Sequence, residues 1–245
     1  MHPLNRLLAT FNLAISRPNK FSAGFKKQFY QRLRELRQTA NGFRVFPEPY
    51  DDAGEHPQSY IDHECGFATK RLNQSKPQQL LDIGSYRHYI LGLLSHYPVT
   101  TIDVRPRPPA SVNETVITAD AKALGLPDSS FDAVISLCAL EHFGLGRYGD
   151  DFDLDADKKA LAEMIRVLKP TGQLILTTTI TRAGAGLAFN AHRIYSLEMI
   201  RELCAGMKCL EEDFFSNRLN RSCTHEEVTA DPSSWDVYLG CWERQ

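Results

Sequence analysis

Apolar positions along the chain follow two periods, and the change falls near residue 79. Before it the spacing is helical. Leu4, Leu7, Leu8, Phe11 and Ile15 predict a first helix ended by Pro18, and Phe25, Phe29, Leu33 and Leu36 stripe a second through SAGFKKQFYQRLRELRQ. The Pro-, Gly- and Asp-rich FPEPYDDAGEHPQ reads as a loop, and residues 58–74 as a third helix. Beyond residue 79, short apolar runs at 79–83, 98–102, 115–118, 132–137 and 172–179 alternate with helical or irregular connections. The clearest helix there is 157–168, with Leu161, Met164, Ile165 and Leu168 on one face and KPTG as its stop. Another helix follows residue 196. Strands near 208–216 and 236–242 suit an antiparallel pair joined by a long connection.

Repeated β–α units predict an α/β fold with a doubly wound, mostly parallel sheet and helices on both faces. Residues 1–57 read as a basic helical N-terminal extension and 58–245 as the main domain. The 245 residues suffice for one such domain plus a small extra segment. No apolar run reaches the roughly 20 residues that span a bilayer, and Asn5, Arg6 and Asn12 interrupt any signal-peptide core. A cytoplasmic location is expected. The six cysteines (65, 138, 204, 209, 223 and 241) form no C-x-x-C pair, which points to reduced, packed thiols rather than a zinc site or disulfide framework.

Charge changes the picture only at the N-terminus. Residues 1–44 hold nine Lys or Arg against the single Glu35, a balance of +8, while the other 201 residues hold 19 basic and 29 acidic side chains, a balance of −10. Such an arm can meet nucleic acid, anionic lipid or the protein's own acidic body.

Candidate chemistry gathers at strand ends, where doubly wound sheets bind ligands. Asp82 closes the first strand beside Gly84, whose missing Cβ lets a ligand approach the backbone. Asp103 ends the second strand, 19 residues after Gly84, where a carboxylate can accept both hydrogen bonds of a ribose diol. Asp120 follows the third strand, within reach of an adenine amino group. A dinucleotide or ATP needs a glycine-rich turn for its phosphates. Here Ser85, Tyr86, Arg87 and His88 fill the turn after Gly84. S-adenosylmethionine carries no phosphate, and its ribose, adenine, amine and sulfonium all suit carboxylates.

LLDIGS, VTTIDVRP, ITADAKALGLPDSSFDAVISLCALEHF and ALAEMIRVLKPTGQLILTTT together resemble the class I S-adenosylmethionine-dependent methyltransferases, over roughly residues 78–180. The resemblance implies a seven-stranded sheet whose last two strands form a reversed hairpin. It also implies S-adenosyl-L-methionine as cofactor, with Asp82 and Gly84 at the methionine end, Asp103 at the ribose, and Asp120 and Ala121 at the adenine; Ser85 and Cys138 are further candidate cofactor contacts. The chain departs from that superfamily in lacking further glycines after Gly84. LEHFGLGRYGDDFD and FNAHRIYS resemble, more narrowly, a family catalogued only as a domain of unknown function (number 268).

Two stretches can face the methyl group. CALEHFGLGRYGD follows the fourth strand and offers Glu141, His142, Arg147 and Tyr148; FNAHRIYS follows the fifth and offers Asn190, His192, Arg193 and Tyr195. His142 and His192 compete as the base that takes the acceptor's proton. The arginines suit an anionic acceptor, and the other polar residues its binding. Asp151, Asp153, Asp155 and Asp157 alternate like a calcium loop, but Ala156 stands where glycine is required and Glu163 falls one place too far. An acid-rich helix N-terminus, with Asp155 or Asp157 near the cap, accounts for the run, and no metal is expected.

The expected function is methyl transfer to a small polar acceptor, a sugar or glycan hydroxyl first. RNA methylation is the alternative, with the basic arm as footprint, but the arm lacks a nucleic-acid motif and its aromatics fall on the apolar stripe. A third possibility is a catalytically inactive fold that binds a partner or a membrane surface through the N-terminal helices. The oligomeric state is not legible.

Overall fold

Five parallel strands carry the domain: β1 (Leu80–Ile83), β2 (Val99–Asp103), β3 (Glu114–Thr118), β4 (Phe131–Leu137) and β5 (Leu168–Ile180). They belong to a computed structural model that describes residues 22–39, 42–47 and 58–245. The chain divides into units Met1–Pro57 and Gln58–Gln245. In the first unit the described residues form helix α1 (Ala23–Thr39), opened by the Ser22 hydroxyl accepting from the Phe25 N–H at 3.0 Å. The helix expected over residues 4–15 lies outside the described residues.

The second unit begins with α2 (Tyr60–Ser75). Ser59 caps it: its hydroxyl accepts from the Ile61 N–H, and Asp62 accepts from the Ser59 N–H at 2.8 Å. The buried residues of α2, Glu64, Phe67, Ala68 and Leu72, lie on one face at helical spacing. After β1 comes the short α3 (Arg87–Leu93), and after β4 comes α4 (Ala156–Val167). The expected α4 stripe extended to Leu168, which instead opens β5. β6 (Gly186–Ala188) and β7 (His192–Ile194) form a small hairpin inside the stretch expected to be a loop. Then follow α5 (Leu197–Leu203), β8 (Met207–Ser216), β9 (Arg221–Cys223) and β10 (Asp236–Arg244).

The main sheet runs β3-β2-β1-β4-β5-β10-β8-β9, with β10 antiparallel to both β5 and β8. It has eight strands, one more than the seven expected. The extra strand, β9, is three residues long, and Asn220 (φ 52°) lets the chain fold back from β8 into it. So short a polar segment carries no readable alternation.

Two apolar layers lie on opposite faces of the sheet. One joins Phe67, Ala68 and Leu72 of α2 and Ile90 and Leu93 of α3 to Leu80, Ala133 and Ile135; the other joins Ala160, Leu161 and Met164 of α4 and Ile200 of α5 to Leu81, Val134 and Leu176. Alternate residues of β4 therefore feed opposite layers, as the two-residue period of a strand dictates. Each fully buried Leu or Ile contributes roughly 1.5–3 kcal/mol, so these layers hold the strand ends, and the loops above them, in fixed register. Among the described residues no helix is long and apolar enough to cross a membrane.

Candidate active site

The carboxyl ends of β1 to β4 open onto a cleft of about 680 Å³, solvent at its mouth included. Gly84, Asp103, Asp120, Ala121 and Cys138 all line it, as do Val104, Arg105, Ala139, Phe143 and Tyr148. Gly84 has φ 73°, and a Cβ there would stand 3.0 Å from the Ala139 Cβ. Both facts require glycine at this turn. Asp120 accepts the Lys122 N–H at 2.9 Å, which turns the chain beneath the cleft.

Asp82 and Ser85 lie under the floor of the cleft rather than on its surface. The Asp82 carboxylate accepts the Ser85 N–H at 3.2 Å, the Ser85 hydroxyl accepts the Leu137 N–H at 3.1 Å, and Ser136 donates to the Ile83 carbonyl at 3.1 Å. These bonds lock the first turn to the end of β4. Burial pushes the Asp82 carboxyl up to about 7, against the opposing pull of the Ser85 bonds. The bulky residues after Gly84 do not obstruct the cleft. Arg87 turns to Glu114, which also takes Arg107 at 2.8 Å and the Ala110 N–H at 2.7 Å, so the lip is built on a structural ion cluster.

Asp103 is already engaged. Arg105 donates Nε to one carboxylate oxygen and Nη2 to the other, each at 2.9 Å, while its guanidinium lies 4.9 Å from the Tyr148 ring centre. Burial opposes ionisation of Asp103, but these bonds outweigh it and hold the carboxyl below its usual range.

A second cavity, about 980 Å³ with open solvent, meets the cleft at Cys138 and His142, which line both. Its wall brings together Tyr60, Glu141, Arg147, Thr179, Asn190, His192 and Trp235. The predicted residues Glu141, His142, Arg147, Asn190 and His192 thus converge from two distant stretches of sequence. Tyr148 lines the cleft instead. Cys138, at the junction, is held at φ 45° by bonds from its N–H to the Thr177 carbonyl and hydroxyl, at 3.0 and 2.9 Å. A non-glycine residue in the left-handed region is strained, and such strain clusters at functional sites.

Hydrogen bonds define the state of His142. Its Nδ1 stands 2.6 Å from the Ala191 carbonyl, which can only accept, so the neutral ring carries its hydrogen on Nδ1 and its lone pair on Nε2. Nε2 lies 4.0 Å from Glu141 Oε1. Burial, reinforced by the Arg147 charge, pulls His142 down to about 4. Burial pushes Glu141 up to about 8, although the Thr178 hydroxyl donates to it at 3.0 Å. His192 is also lowered, by burial and then by Arg147. At neutral pH both imidazoles are therefore uncharged.

The two remaining predicted residues are placed elsewhere. Arg193 is buried; it donates to the carbonyls of Phe143 (2.6 Å) and Leu154 (3.0 Å) and pairs with Asp157 at 3.4 Å. Tyr195 is fully buried and donates to the same Asp157 at 2.9 Å. Neither lines the cleft or the second cavity. Together they tie the β6–β7 hairpin to the loop carrying Arg147 and Tyr148. Asp157 is thus held by packing from within, and Asp155, at the helix cap position, makes no capping bond and pairs with Lys158 at 2.8 Å.

Sequence reasoning missed Tyr60, Arg105 and Trp235. A tryptophan in the polar DPSSW was the available signal, since a large aromatic in a loop must be covered by something. Tyr60 and Arg105 gave none.

Residues 81–176 match the family described as a methyltransferase domain. The fold is that of the class I methyltransferases. Among solved structures, the 1,6-didemethyltoxoflavin-N1-methyltransferase of Burkholderia thailandensis, bound to 1,6-didemethyltoxoflavin and S-adenosylhomocysteine, is 14% identical, covers 95% of this chain and 92% of its own, and gives a TM-score of 0.58. The N-methyltransferase NodS of Bradyrhizobium japonicum, in complex with S-adenosylhomocysteine, is 18% identical over 88% of this chain and 98% of its own, with a TM-score of 0.54. The [4+2]-cyclase SpnF is also 18% identical, over 88% and 92%, with a TM-score of 0.59. A cyclase on this fold means that activity must be argued from the site. No curated protein matches the sequence.

Proposed function

We propose that the chain is an S-adenosylmethionine-dependent methyltransferase acting on the oxygen of a small polar acceptor, a sugar or glycan hydroxyl first. Residues 58–245 are the catalytic domain and 1–57 a basic extension. One observation carries the reading: the cleft at the strand ends opens, at Cys138 and His142, into a second polar cavity. The donor supplies an activated methyl group, so the protein has mainly to position the acceptor and receive its proton.

Asp103 would hold the ribose diol, Asp120 and Ala121 the adenine edge, and Gly84 the methionine end. The lone pair of His142 Nε2 is the proton acceptor, at the junction of the two cavities. Oxygen is favoured over nitrogen because the Arg147 cation and the proton-retaining Glu141 make poor company for an ammonium group. The two stretches behind the narrower family likeness, LEHFGLGRYGDDFD and FNAHRIYS, supply most of the second cavity's polar wall. A concave cavity of this size suits a small molecule better than RNA.

Calorimetric titration with S-adenosylhomocysteine tests the reading. Micromolar binding is expected, weakened about a hundredfold in Asp103→Ala by the loss of two charge-assisted bonds. Well-folded wild-type protein that does not bind would refute it.

A further inference from the structure

The second cavity also carries information about what it holds, given that methyl transfer is the reaction. Arg147 stands on its wall with no carboxylate partner among the described residues. The arginines around it are committed: Arg105 to Asp103, Arg87 and Arg107 to Glu114, and Arg193 to Asp157. Arg147 donates Nη1 to the Ala191 carbonyl at 3.2 Å, with His142 Nδ1 3.3 Å from the same nitrogen, and lies 5.2 Å from the Tyr148 ring centre. Its Nη2 and Nε make no hydrogen bond among the described residues. A guanidinium fixed by one nitrogen and a ring face, with its remaining fork unspent, is organised to receive a planar anion.

Beside Arg147 the wall holds a cluster of rings among neutral polar groups. Tyr60 and Trp235 meet edge to face at 5.7 Å between ring centres, and His192 meets Trp235 at 5.8 Å, so three rings form a corner. Glu141 retains its proton to about 8, and His142 and His192 are neutral. Near pH 7 the wall therefore has one formal charge, and it is positive. Such a corner offers ring faces and edges to a flat or six-membered ring, and the cation fixes which end of that ring points outward.

We infer that the acceptor is a small six-membered-ring compound bearing a carboxylate, its anion on Arg147 and its ring in the corner of Tyr60, His192 and Trp235. That pose leaves a ring hydroxyl facing Cys138 and His142, where the cavity meets the cofactor cleft. The same charge disfavours an acceptor whose only charge is positive.

The test is binding, measured on the full chain saturated with S-adenosylhomocysteine, using matched probes. The pairs are 4-hydroxybenzoate against 4-hydroxybenzyl alcohol, and glucuronate against glucose. Within at least one pair the acid is expected to bind about tenfold more tightly or better, the effect of one charge-assisted contact. The preference should disappear in Arg147→Gln, persist in weakened form in Arg147→Lys, and survive with lower overall affinity in Trp235→Ala. Which pair shows it tells an aromatic acid from a sugar acid; both support the inference. Equal affinity within both pairs, a preference that survives in Arg147→Gln, or no binding of any probe at millimolar concentration would overturn it. A failure to bind S-adenosylhomocysteine, seen in the preceding titration, strikes the methyltransferase reading itself and is distinguishable from these results.

Discussion

The two cavities that share Cys138 and His142 are built in opposite ways. The cofactor cleft takes its wall from the ends of neighbouring strands and the loops directly after them, from Ile83 to Asp150. The second cavity, the proposed acceptor site, gathers its wall from α2, the turn after β4, β5, the β6–β7 hairpin and the loop before β10, from Tyr60 to Trp235. The first is fixed by sheet topology, because a parallel strand delivers its carboxyl end to the same edge whatever follows. The second is fixed by individual tethers: Arg193 on the carbonyls of Phe143 and Leu154, the Thr179 hydroxyl on the Arg193 carbonyl at 2.5 Å, and Asn217 Nδ2 on the Trp235 carbonyl at 2.9 Å. A fold of this kind can therefore keep its donor site while the acceptor site is rebuilt loop by loop.

The sharpest way to break this division is at the shared residue. His142→Asn removes the Nε2 lone pair while leaving a small polar group at the junction. The turnover rate is expected to fall about 10²–10⁴-fold, the usual contribution of a positioned base. S-adenosylhomocysteine affinity should change by no more than a few fold, because the proposed cofactor contacts lie at Gly84, Asp103 and Asp120. Steady-state kinetics beside calorimetry reads both. An affinity that falls in step with the rate would mean that the cavities are one site.

The same contrast decides how much was legible beforehand. The mostly parallel sheet, the antiparallel pair at the end, and the acids at three strand ends followed from alternation and spacing, because local pattern carries them. Asp103, Asp120 and Gly84 reached the cleft for that reason. The approach of Glu141 and His142 to Asn190 and His192 was partly legible, since both stretches follow adjacent strands. Tyr60 and Trp235 were not, because their positions depend on how α2 and the loop before β10 pack across the sheet. Arg193 and Tyr195 had polar side chains suited to substrate, yet burial turned them into tethers. A side chain's chemistry says what it can bind, and only packing says which partner it meets.

A smaller effect separates the floor of the cleft from its surface. The Asp82 carboxyl is raised to about 7 in the folded chain from an ordinary value of 3.8. The folded state therefore binds its proton more tightly than the unfolded state does. The associated stability is complete below about pH 4 and is lost as pH rises through about 7. Between pH 5 and 8 the loss is on the order of 2 kcal/mol. Glu141, raised to about 8, adds a loss of the same sign. His142, lowered to about 4, acts in the other direction, losing stability as pH falls from 6.5 towards 4. Asp82→Asn keeps an acceptor for the Ser85 N–H but has no proton to lose. Urea unfolding at pH 5.5 and pH 8 should show a smaller drop in the variant than in the wild type. An unchanged drop would place the proton uptake elsewhere.

The smallest expected effect tests the one point at which the cleft is not ready for a ligand. Both oxygens of Asp103 are taken by Arg105, and any ribose diol addressing that carboxylate must first displace the guanidinium. The pair is exposed on its arginine side, and such pairs are worth about 0.2–1 kcal/mol. Arg105→Ala frees the carboxylate and also removes the contact with Tyr148 on the loop beyond His142. Affinity for S-adenosylhomocysteine should therefore rise, by up to about fivefold, and the gain should shrink at high salt, where the pair in the wild type is already weakened. A loss of affinity in Arg105→Ala would give the opposite lesson: the guanidinium, once released from Asp103, would itself be a ligand contact. The cleft would then be completed by a side-chain rearrangement, and the contrast with the individually tethered acceptor cavity would be narrower than the strand ends suggest.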